Sequence, residues 1–533
     1  MTRAPGPLRG RLARFAFFLA LALVLQWRTH AYEREFGSNP DEPAHYVTGL
    51  LVHDYLAAGL PKGPMAFARQ FYVHYPKVGL GHWPPAFYLM QGIWMLCFGT
   101  SAGSVLALLA FLAAALALLL CEAVRAETSP GAGWIAGAVF LTLPEVVLFS
   151  SEVMAELPVA LFVFLAVLEF ARYLDSPGWK PAALFGVWAG LALLGKGTGI
   201  ELALVPVFAI LFGRRWDVLR RGSFWLPALV VVAVAGPWYF GIPGAHHEKV
   251  EAYGGVNFVT PRLISTFTNW YAFLGVMPAV LALVGMLAPQ ARRAGSAIWV
   301  TGFALMASAY TCRLFVDVWE PRHLVSTLPV LMLFASAGGF RLMKLPRIGS
   351  TARVGLGVAA LSAAVAMNLR GLPVKPSWGY RSVAQELTSN PAYSQSVLLV
   401  CDNSTGEGAF IAEVAMQDGH PGHYVLRASK FLAATDWSGT QYRPLYDSPG
   451  ALLEAMESAG VGIVVLGPES GGSHCQMLRE ALNRSEGRWE TLPGQGRIAI
   501  YGRTGMENRP AGRIEITDPL TGVGQIGNQT ITQ

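Results

Sequence analysis

Two adjacent carboxylates, Asp41 and Glu42, follow the first apolar segment of the chain in the stretch SNPDEPAHYVTGLLVHDYL, residues 38–56. Asp41 can cap a helix whose first turn contains Pro43, because proline loses no hydrogen bond there. Alternatively, Asp41 is a general base, since it would share one helix face with His45, four residues later. Glu42 and His45 could offer a metal ion two ligands, but two ligands without a third do not define a metal site.

Two basic residues beside apolar segments, Lys196 and Arg322, are candidates for binding an anion. Lys196 lies in GLALLGKGTG, residues 190–199, which nearly matches a nucleotide-binding phosphate loop. The position that needs Ser or Thr is Gly197 and the spacer is purely apolar, which argues against an ATP site. Arg322 lies in WEPRHLVSTLPVLML. Each side chain could anchor at a membrane interface or bind a lipid-borne phosphate, whose oxygens arginine matches in a bidentate manner.

The composition indicates a membrane protein with many spans. Of 533 residues, 53% are hydrophobic and 14% are charged, whereas a soluble domain is about 25% charged. The net charge of +6 does not indicate nucleic-acid binding, because the arginines occur in short clusters between apolar segments. Five cysteines form no Cys-x-x-Cys pair, and Cys401 and Cys475 could bridge in an oxidising compartment.

Segments of roughly 20 apolar residues predict about eleven transmembrane helices. They lie near residues 13–30, 102–122, 131–150, 156–173, 181–195, 198–213, 223–241, 270–289, 295–312, 323–340 and 353–370. The segment 84–99 is short and begins with two prolines, so we expect a helix at the outer interface. With a cytoplasmic N-terminus and an uncleaved first span, this count leaves the arginine clusters in cytoplasmic turns.

The predicted organisation has three parts. Residues 1–370 form a transmembrane catalytic domain with a first outer loop at 31–101. Residues 371–503 alternate apolar runs with helix-like stretches, which predicts an extracytoplasmic α/β domain. Residues 504–533 are polar and rich in Gly and Thr, and we expect a disordered tail.

Four motifs, in this order, resemble those of the GT-C superfamily of membrane glycosyltransferases. They are DEPAHY, GHWPPAFYLMQGIW, LALLGKGTGIELALVPVFAILFGRRW and EPRHLVSTLPVLMLFASAG. The looser SEVMAELPVALFVFLAVLEFARYL has Glu156 where an Asp is usual. The match covers about residues 13–370 and is similar in particular to the protein O-mannosyltransferase and aminoarabinose-transferase group, glycosyltransferase families 39 and 83. His323 replaces the usual Tyr, Gly195 replaces the Thr before Lys196, and no Lys directly precedes Pro84.

The resemblance implies an inverting transfer of a sugar from a polyprenyl phosphate to a protein, lipid or glycan acceptor. The reaction would occur at the outer, periplasmic face of a bacterial plasma membrane. Asp41 would be the general base, and Lys196 and Arg322 would meet the charge that develops on the leaving phosphate. That phosphate needs no second carboxylic acid, unlike the leaving group in a glycoside hydrolase. The resemblance also suggests that sugar or acceptor contacts come from four residues: Glu42, His45, His82 and Glu156. It requires no further cofactor and leaves a divalent metal open.

Other classes of protein fit parts of the pattern. A lipid-linked-oligosaccharide ligase or polymerase would share the architecture and move a whole glycan. A transporter or flippase would instead be expected to show an internal span repeat and ionisable residues near mid-membrane. A non-catalytic scaffold would use the region 371–503 for binding and would not need Asp41.

Overall fold

The chain is mostly helical in the computed structural model, which describes residues 8–79, 83–241, 259–287, 297–315, 320–344, 349–420, 422–434, 442–468, 471–485, 487–505, 513–516 and 529–532. The first sixteen helices are α1 (Leu8–Arg28), α2 (Glu42–Ala57), α3 (Pro64–His74), α4 (Ala86–Phe98), α5 (Ala102–Glu127), α6 (Pro130–Thr142), α7 (Pro144–Ser151), α8 (Glu156–Asp175), α9 (Trp179–Gly195), α10 (Val205–Gly213), α11 (Gly222–Gly241), α12 (Val259–Leu274), α13 (Val276–Met286), α14 (Ala297–Phe315), α15 (Leu328–Leu342) and α16 (Ser350–Arg370). Short 3₁₀ helices cover Gly197–Leu202, Trp216–Arg220 and Pro321–Thr327.

Within the described residues, four helices are long and apolar enough to cross a membrane: α5, α8, α11 and the continuous run Pro321–Leu342. The count rises to six if two bent pairs are single spans, α6 with α7 at 62° and the pair formed by Arg262–Leu274 and α13 at 118°. Each of the eleven predicted segments overlaps a helix, but several of those helices are shorter than a span. The helix lengths therefore support four to six spans among the described residues, fewer than the eleven predicted from the sequence.

The first outer loop contains helices α2, α3 and α4, and α2 packs closely against α4. A Cβ atom on Gly92 of α4 would lie 2.8 Å from Val52 Cγ1 and 3.1 Å from the His53 amide nitrogen. Glycine is needed here because any side chain would force the two helices apart. With 13 residues, α4 matches the length predicted for the interfacial segment 84–99.

The part of the chain after residue 371 contains a five-stranded mixed sheet. Its strands are β1 (Val397–Cys401), β2 (Val425–Arg427), β5 (Val461–Leu466), β6 (Trp489–Gln495) and β7 (Ile498–Arg503), in the order β2-β1-β5-β7-β6. The first three are parallel, and β7 is antiparallel to β5 and to β6. VLLVC and VGIVVL are buried along their whole length, as expected for parallel strands covered on both faces.

The remaining elements of this part complete the list. They are α17 (Tyr380–Ser389), the 3₁₀ turn Pro391–Tyr393, α18 (Ser404–Gln417), α19 (Ala428–Phe431), α20 (Pro449–Ser458), α21 (Ser473–Asn483) and the strand pairs β3 (Ala433–Ala434) with β4 (Arg443–Pro444) and β8 (Arg513–Ile516) with β9 (Gln529–Thr532). A disulfide joins Cys401 at the end of β1 to Cys475 in α21, with 5.8 Å between the two Cα atoms.

This C-terminal part contacts the first outer loop directly. Glu35 of the loop accepts a hydrogen bond from the Gly379 amide at 2.8 Å. Arg381 donates to the carbonyl oxygens of Tyr32 and Arg34, at 3.2 and 2.7 Å. The loop that carries Asp41 is therefore held by the C-terminal part as well as by the helices around it.

Candidate active site

Asp41 stands at the N-cap position of α2, but its side chain makes no capping hydrogen bond. Its Oδ2 instead accepts a hydrogen bond from Arg322 Nη2 at 2.9 Å, across 281 residues of sequence. The Asn39 side chain accepts a hydrogen bond from the Asp41 amide at 3.0 Å. The geometry therefore favours a role in a site over simple helix capping.

Arg322 is presented by the 3₁₀ helix Pro321–Thr327 and lies among carboxylates. Glu320 approaches its Nε to 2.7 Å and Glu156 approaches the same atom to 3.7 Å. Arg322 Nη1 is buried and has no hydrogen-bond partner among the described residues. A buried guanidinium donor without a partner is costly, so this nitrogen is suited to an incoming anion.

Lys196 reaches the same group of charges from another element. Its Nζ donates to Glu156 Oε1 at 2.6 Å, and Glu156 itself is buried at the start of α8. The 3₁₀ helix after Lys196 folds back tightly on the end of α9, because a Cβ atom on Gly199 would lie 2.4 Å from the Ala192 carbonyl carbon. The Lys196 side chain is 19% exposed, and its ammonium group lies against Glu156 in the site.

A narrow recess with a volume of about 10 Å³ lies between these elements. Its lining combines both cations with polar side chains and two valines: Glu156, Val159, Lys196, Thr198, Arg322, His323, Val325 and Ser326. Glu156 Oε2 is buried there without a hydrogen-bond partner in the described structure. The two cations are balanced by Glu156 in the recess and by Asp41 and Glu320 on Arg322, so an anionic ligand would have to displace one of these carboxylates.

His45 lies close to this charge cluster and is uncharged at neutral pH. Burial lowers its pKa to about 4, although the negative charges of Asp41 and Glu156 oppose that shift. Its Nδ1 is 2.7 Å from the Tyr88 hydroxyl oxygen, and its ring stacks on Trp83 with 4.3 Å between centroids. The imidazole is buried among the rings of Trp83, Phe87 and Tyr88, which form an aromatic wall beside the charge cluster.

Glu42 lies outside the recess lining and is completely buried. Its Oε1 accepts from Lys375 Nζ at 2.6 Å and from the Val153 amide at 3.1 Å. Its Oε2 accepts from the Gly37 and Ser38 amides at 2.9 and 3.2 Å. Four donors occupy this carboxylate, so in the structure it anchors the loop. The predicted sugar or acceptor contact by Glu42 stays a prediction, and His82 lies outside the described residues.

Two contributors to the site, Glu320 and Lys375, were not predicted from the sequence. Glu320 is only two residues from Arg322, and that proximity in WEPRH was the available signal. Lys375 follows the last predicted span and has no local pattern. Among the described residues, one cluster has metal-ligand spacing, Cys401, His474 and Cys475, but its two sulfurs form the disulfide and offer no thiolate.

Residues 82–240 match the family model described as dolichyl-phosphate-mannose-protein mannosyltransferase. No curated protein sequence matches the chain significantly. Among solved structures, apo ArnT from Cupriavidus metallidurans is similar with a TM-score of 0.61 and 14% identity, over 91% of this chain and 97% of that chain. The same protein bound to undecaprenyl phosphate is similar with a TM-score of 0.58 and 14% identity, over 92% and 98% of the two chains. The oligosaccharyltransferase AglB from Archaeoglobus fulgidus, in complex with an inhibitory peptide and a dolichol-phosphate, has a TM-score of 0.52 at 14% identity, over 90% of this chain and 72% of that chain.

Residues 82–240 are thus similar to a glycosyltransferase family, and over about nine-tenths of the chain the fold is similar to that of the GT-C enzymes ArnT and AglB. The resemblance found in the four motifs is thereby confirmed. The apolar helices and the fold make the chain an integral membrane protein.

Proposed function

We propose that this protein is an inverting glycosyltransferase that moves a sugar from a polyprenyl-phosphate carrier to an acceptor on the outer face of the membrane. One observation carries the proposal: Lys196 and Arg322, from distant parts of the chain, line one recess and both contact Glu156, and Arg322 is also bonded to Asp41. A base beside two cations is what displacement of a phosphate-linked sugar requires.

Lys196 and Arg322 would bind the phosphate of the donor lipid. Arg322 Nη1 is free among the described residues, and Lys196 is fixed by Glu156. The ArnT neighbour binds undecaprenyl phosphate, which supports this class of donor. As the phosphate enters, it competes with Asp41 for Arg322, so donor binding would release the Asp41 carboxylate for the acceptor.

Asp41 would then act as the general base. The acceptor hydroxyl or amine attacks the anomeric carbon from the face opposite the phosphate, and its proton passes to the Asp41 carboxylate. The bond between the anomeric carbon and the phosphate oxygen breaks, and the electron pair leaves with the phosphate. The configuration inverts in this single displacement. Lys196 and Arg322 stabilise the added negative charge in a poorly hydrated recess.

The sugar would lie against the aromatic side of the site. His45 with Trp83 offers a stacking surface and one polar edge. His82, which precedes Trp83 directly in the chain, is proposed as a further sugar ligand on sequence grounds alone. Glu156 Oε2, which has no hydrogen-bond partner in the described structure, could accept a hydrogen bond from a donor or acceptor hydroxyl or hold a cation.

The proposed topology has eleven spans, a cytoplasmic N-terminus and an extracytoplasmic α/β domain at 371–503, in a bacterial plasma membrane. The Cys401–Cys475 disulfide supports this placement, since disulfides persist in oxidising compartments. The same domain contacts the loop that carries Asp41, and this contact supports a proposed role of the domain in docking the acceptor.

A transfer assay in host membranes tests the function. Membranes containing the wild type receive a panel of radiolabelled polyprenyl-phosphate sugars, and label leaving the lipid fraction is followed. We expect one sugar to be transferred by the wild type and not by Lys196→Gln/Arg322→Gln at equal protein level. Arg172→Gln serves as the control, because that side chain is 66% exposed and outside the recess lining.

Transfer that survives the double substitution would contradict the proposed donor site. Label released only from lipid-linked oligosaccharides would identify a ligase instead. No transfer from any donor would remove the support for a transferase.

A further inference from the structure

We propose that Lys375 is a positioning residue for the transfer reaction, because its buried ion pair with Glu42 holds the loop that carries Asp41. This inference rests on the proposed function. Lys375 lies between α16, the last helix predicted to span the membrane, and α17 of the C-terminal part. With this role for Lys375, the segment that connects α16 to the C-terminal part would contribute to the active site.

The environment of Lys375 shows a built interaction. Its Nζ lies 2.6 Å from Glu42 Oε1 and 3.4 Å from the Ser151 carbonyl oxygen, and the ammonium is 4.8 Å from the centroid of the Phe36 ring. The Lys375 amide donates to the Thr29 carbonyl at 3.1 Å. The Lys375 side chain is 2% exposed and that of Glu42 is 0% exposed. Charges this deeply buried are tolerated only when they are paired.

Glu42 connects three separate segments of the chain. Besides Lys375, it binds the Gly37 and Ser38 amides of the loop before α2 and the Val153 amide of the segment before α8. The adjacent Asp41 side chain makes no bond to its own helix. Because the peptide unit between residues 41 and 42 is planar and rigid, fixing Glu42 limits where the Asp41 carboxylate can point.

Loss of this support should act on catalysis more than on donor binding. Displacing a reacting group by about 1 Å can cost about 100-fold in rate. The phosphate ligands Lys196 and Arg322 lie on other elements and make no contact with Glu42 or Lys375 in the described structure. Removing Lys375 should therefore lower kcat and leave donor affinity nearly unchanged.

Arg381 provides a matched control for a general loosening of the contact between the C-terminal part and the first outer loop. Like Lys375, it belongs to the C-terminal part and binds the first loop, at the Tyr32 and Arg34 carbonyl oxygens. Its partners in the structure do not include Glu42. Substituting it loosens a contact between the same two parts at residues 32–34 and leaves the hydrogen bonds of Glu42 in place.

The experiment uses the full chain in lipid nanodiscs. We would measure kcat and KM with the donor identified by the transfer assay, the Kd for undecaprenyl phosphate, and Tm. Lys375→Met should lower kcat by about 10- to 100-fold, with KM and Kd within about threefold of wild type. Lys375→Arg should recover part of kcat, and Arg381→Met should keep kcat within about threefold of wild type.

Lys375→Met/Glu42→Gln removes both charges of the pair, so neither partner is left as an unpaired buried charge, and it serves as the test if Lys375→Met does not fold. Its kcat should also fall at least tenfold. A wild-type kcat in either variant would overturn the inference, as would an equal loss of kcat in Arg381→Met. A wild type that transfers no sugar from any donor would overturn both the proposed function and this inference. Normal transfer by both the wild type and Lys375→Met would overturn the inference alone.

Discussion

Asp41→Asn is the substitution that separates catalysis from donor binding in this site. The amide cannot accept the acceptor proton, so the contribution of a general base is lost. Such a contribution is typically about 10²- to 10⁴-fold in rate, or roughly 2.7–5.4 kcal/mol of barrier. We therefore expect kcat to fall by at least 100-fold.

The same substitution should strengthen donor binding. Asp41 competes with the donor phosphate for Arg322, to which it is bonded at 2.9 Å with side-chain exposures of 21% and 13%. A partly exposed ion pair of this kind contributes roughly 0.5–1 kcal/mol. Removing the competing charge should lower the Kd for undecaprenyl phosphate by about two- to fivefold.

Glu320→Gln is the matched control for this prediction. Glu320 also binds Arg322, at 2.7 Å, and its side chain is 45% exposed. Neutralising it removes a competitor for the phosphate without removing the base, so donor affinity should rise while kcat stays near wild type. Both variants are assayed for single-turnover transfer and for undecaprenyl phosphate binding. An Asp41→Asn enzyme with kcat within threefold of wild type would refute the assignment of the base.

Three further outcomes follow from the structure. Lys196→Gln removes a charge-assisted hydrogen bond of about 1.5–3 kcal/mol, so the Kd for undecaprenyl phosphate should rise roughly 10- to 150-fold, and an unchanged Kd would exclude Lys196 as a phosphate ligand. Replacing Cys401 and Cys475 by serine should cost about 2–4 kcal/mol of stability, since the disulfide closes a loop with a sequence separation of 74, and equal Tm values would contradict this. Burial lowers the pKa of His420, but the hydrogen bond and charge of Asp54, the Ala415 carbonyl and the charge of Asp418 together outweigh burial and raise the pKa above its usual value. The stabilising contribution of this pair should therefore be full below about pH 6.5 and fade as pH rises through the folded-state pKa, so the Tm difference between wild type and His420→Asn should shrink from pH 5 to 8.

Much of the architecture could be predicted from the sequence. Every segment predicted as a span overlaps a helix, because long apolar runs must satisfy their backbone within a helix when water is absent. The short Pro-initiated segment 84–99 became the 13-residue helix α4. Apolar runs such as VLLVC and VGIVVL became buried strands of one sheet, where the predicted α/β region lies.

The candidate residues could be named from the sequence, but their roles could not all be separated. Asp41 and Glu42 are neighbours in one motif, and both looked suited to chemistry. In the structure, Asp41 bonds Arg322 while Glu42 is buried with four donors. Successive residues at a helix start point about 100° apart, so packing decides which of the two faces a site.

The sequence by itself determined the membrane class, the positions of the apolar segments and the residue types available for binding a phosphate. These depend on local hydropathy and on motifs whose residues are close together in the chain. Only the tertiary structure decided that Arg322 meets Asp41 and that Lys375 meets Glu42, across separations of 281 and 333 residues. Such pairs form where the helices and the C-terminal part pack together. Each buried charge is stable only when a distant segment supplies its partner, so this packing depends on the whole chain.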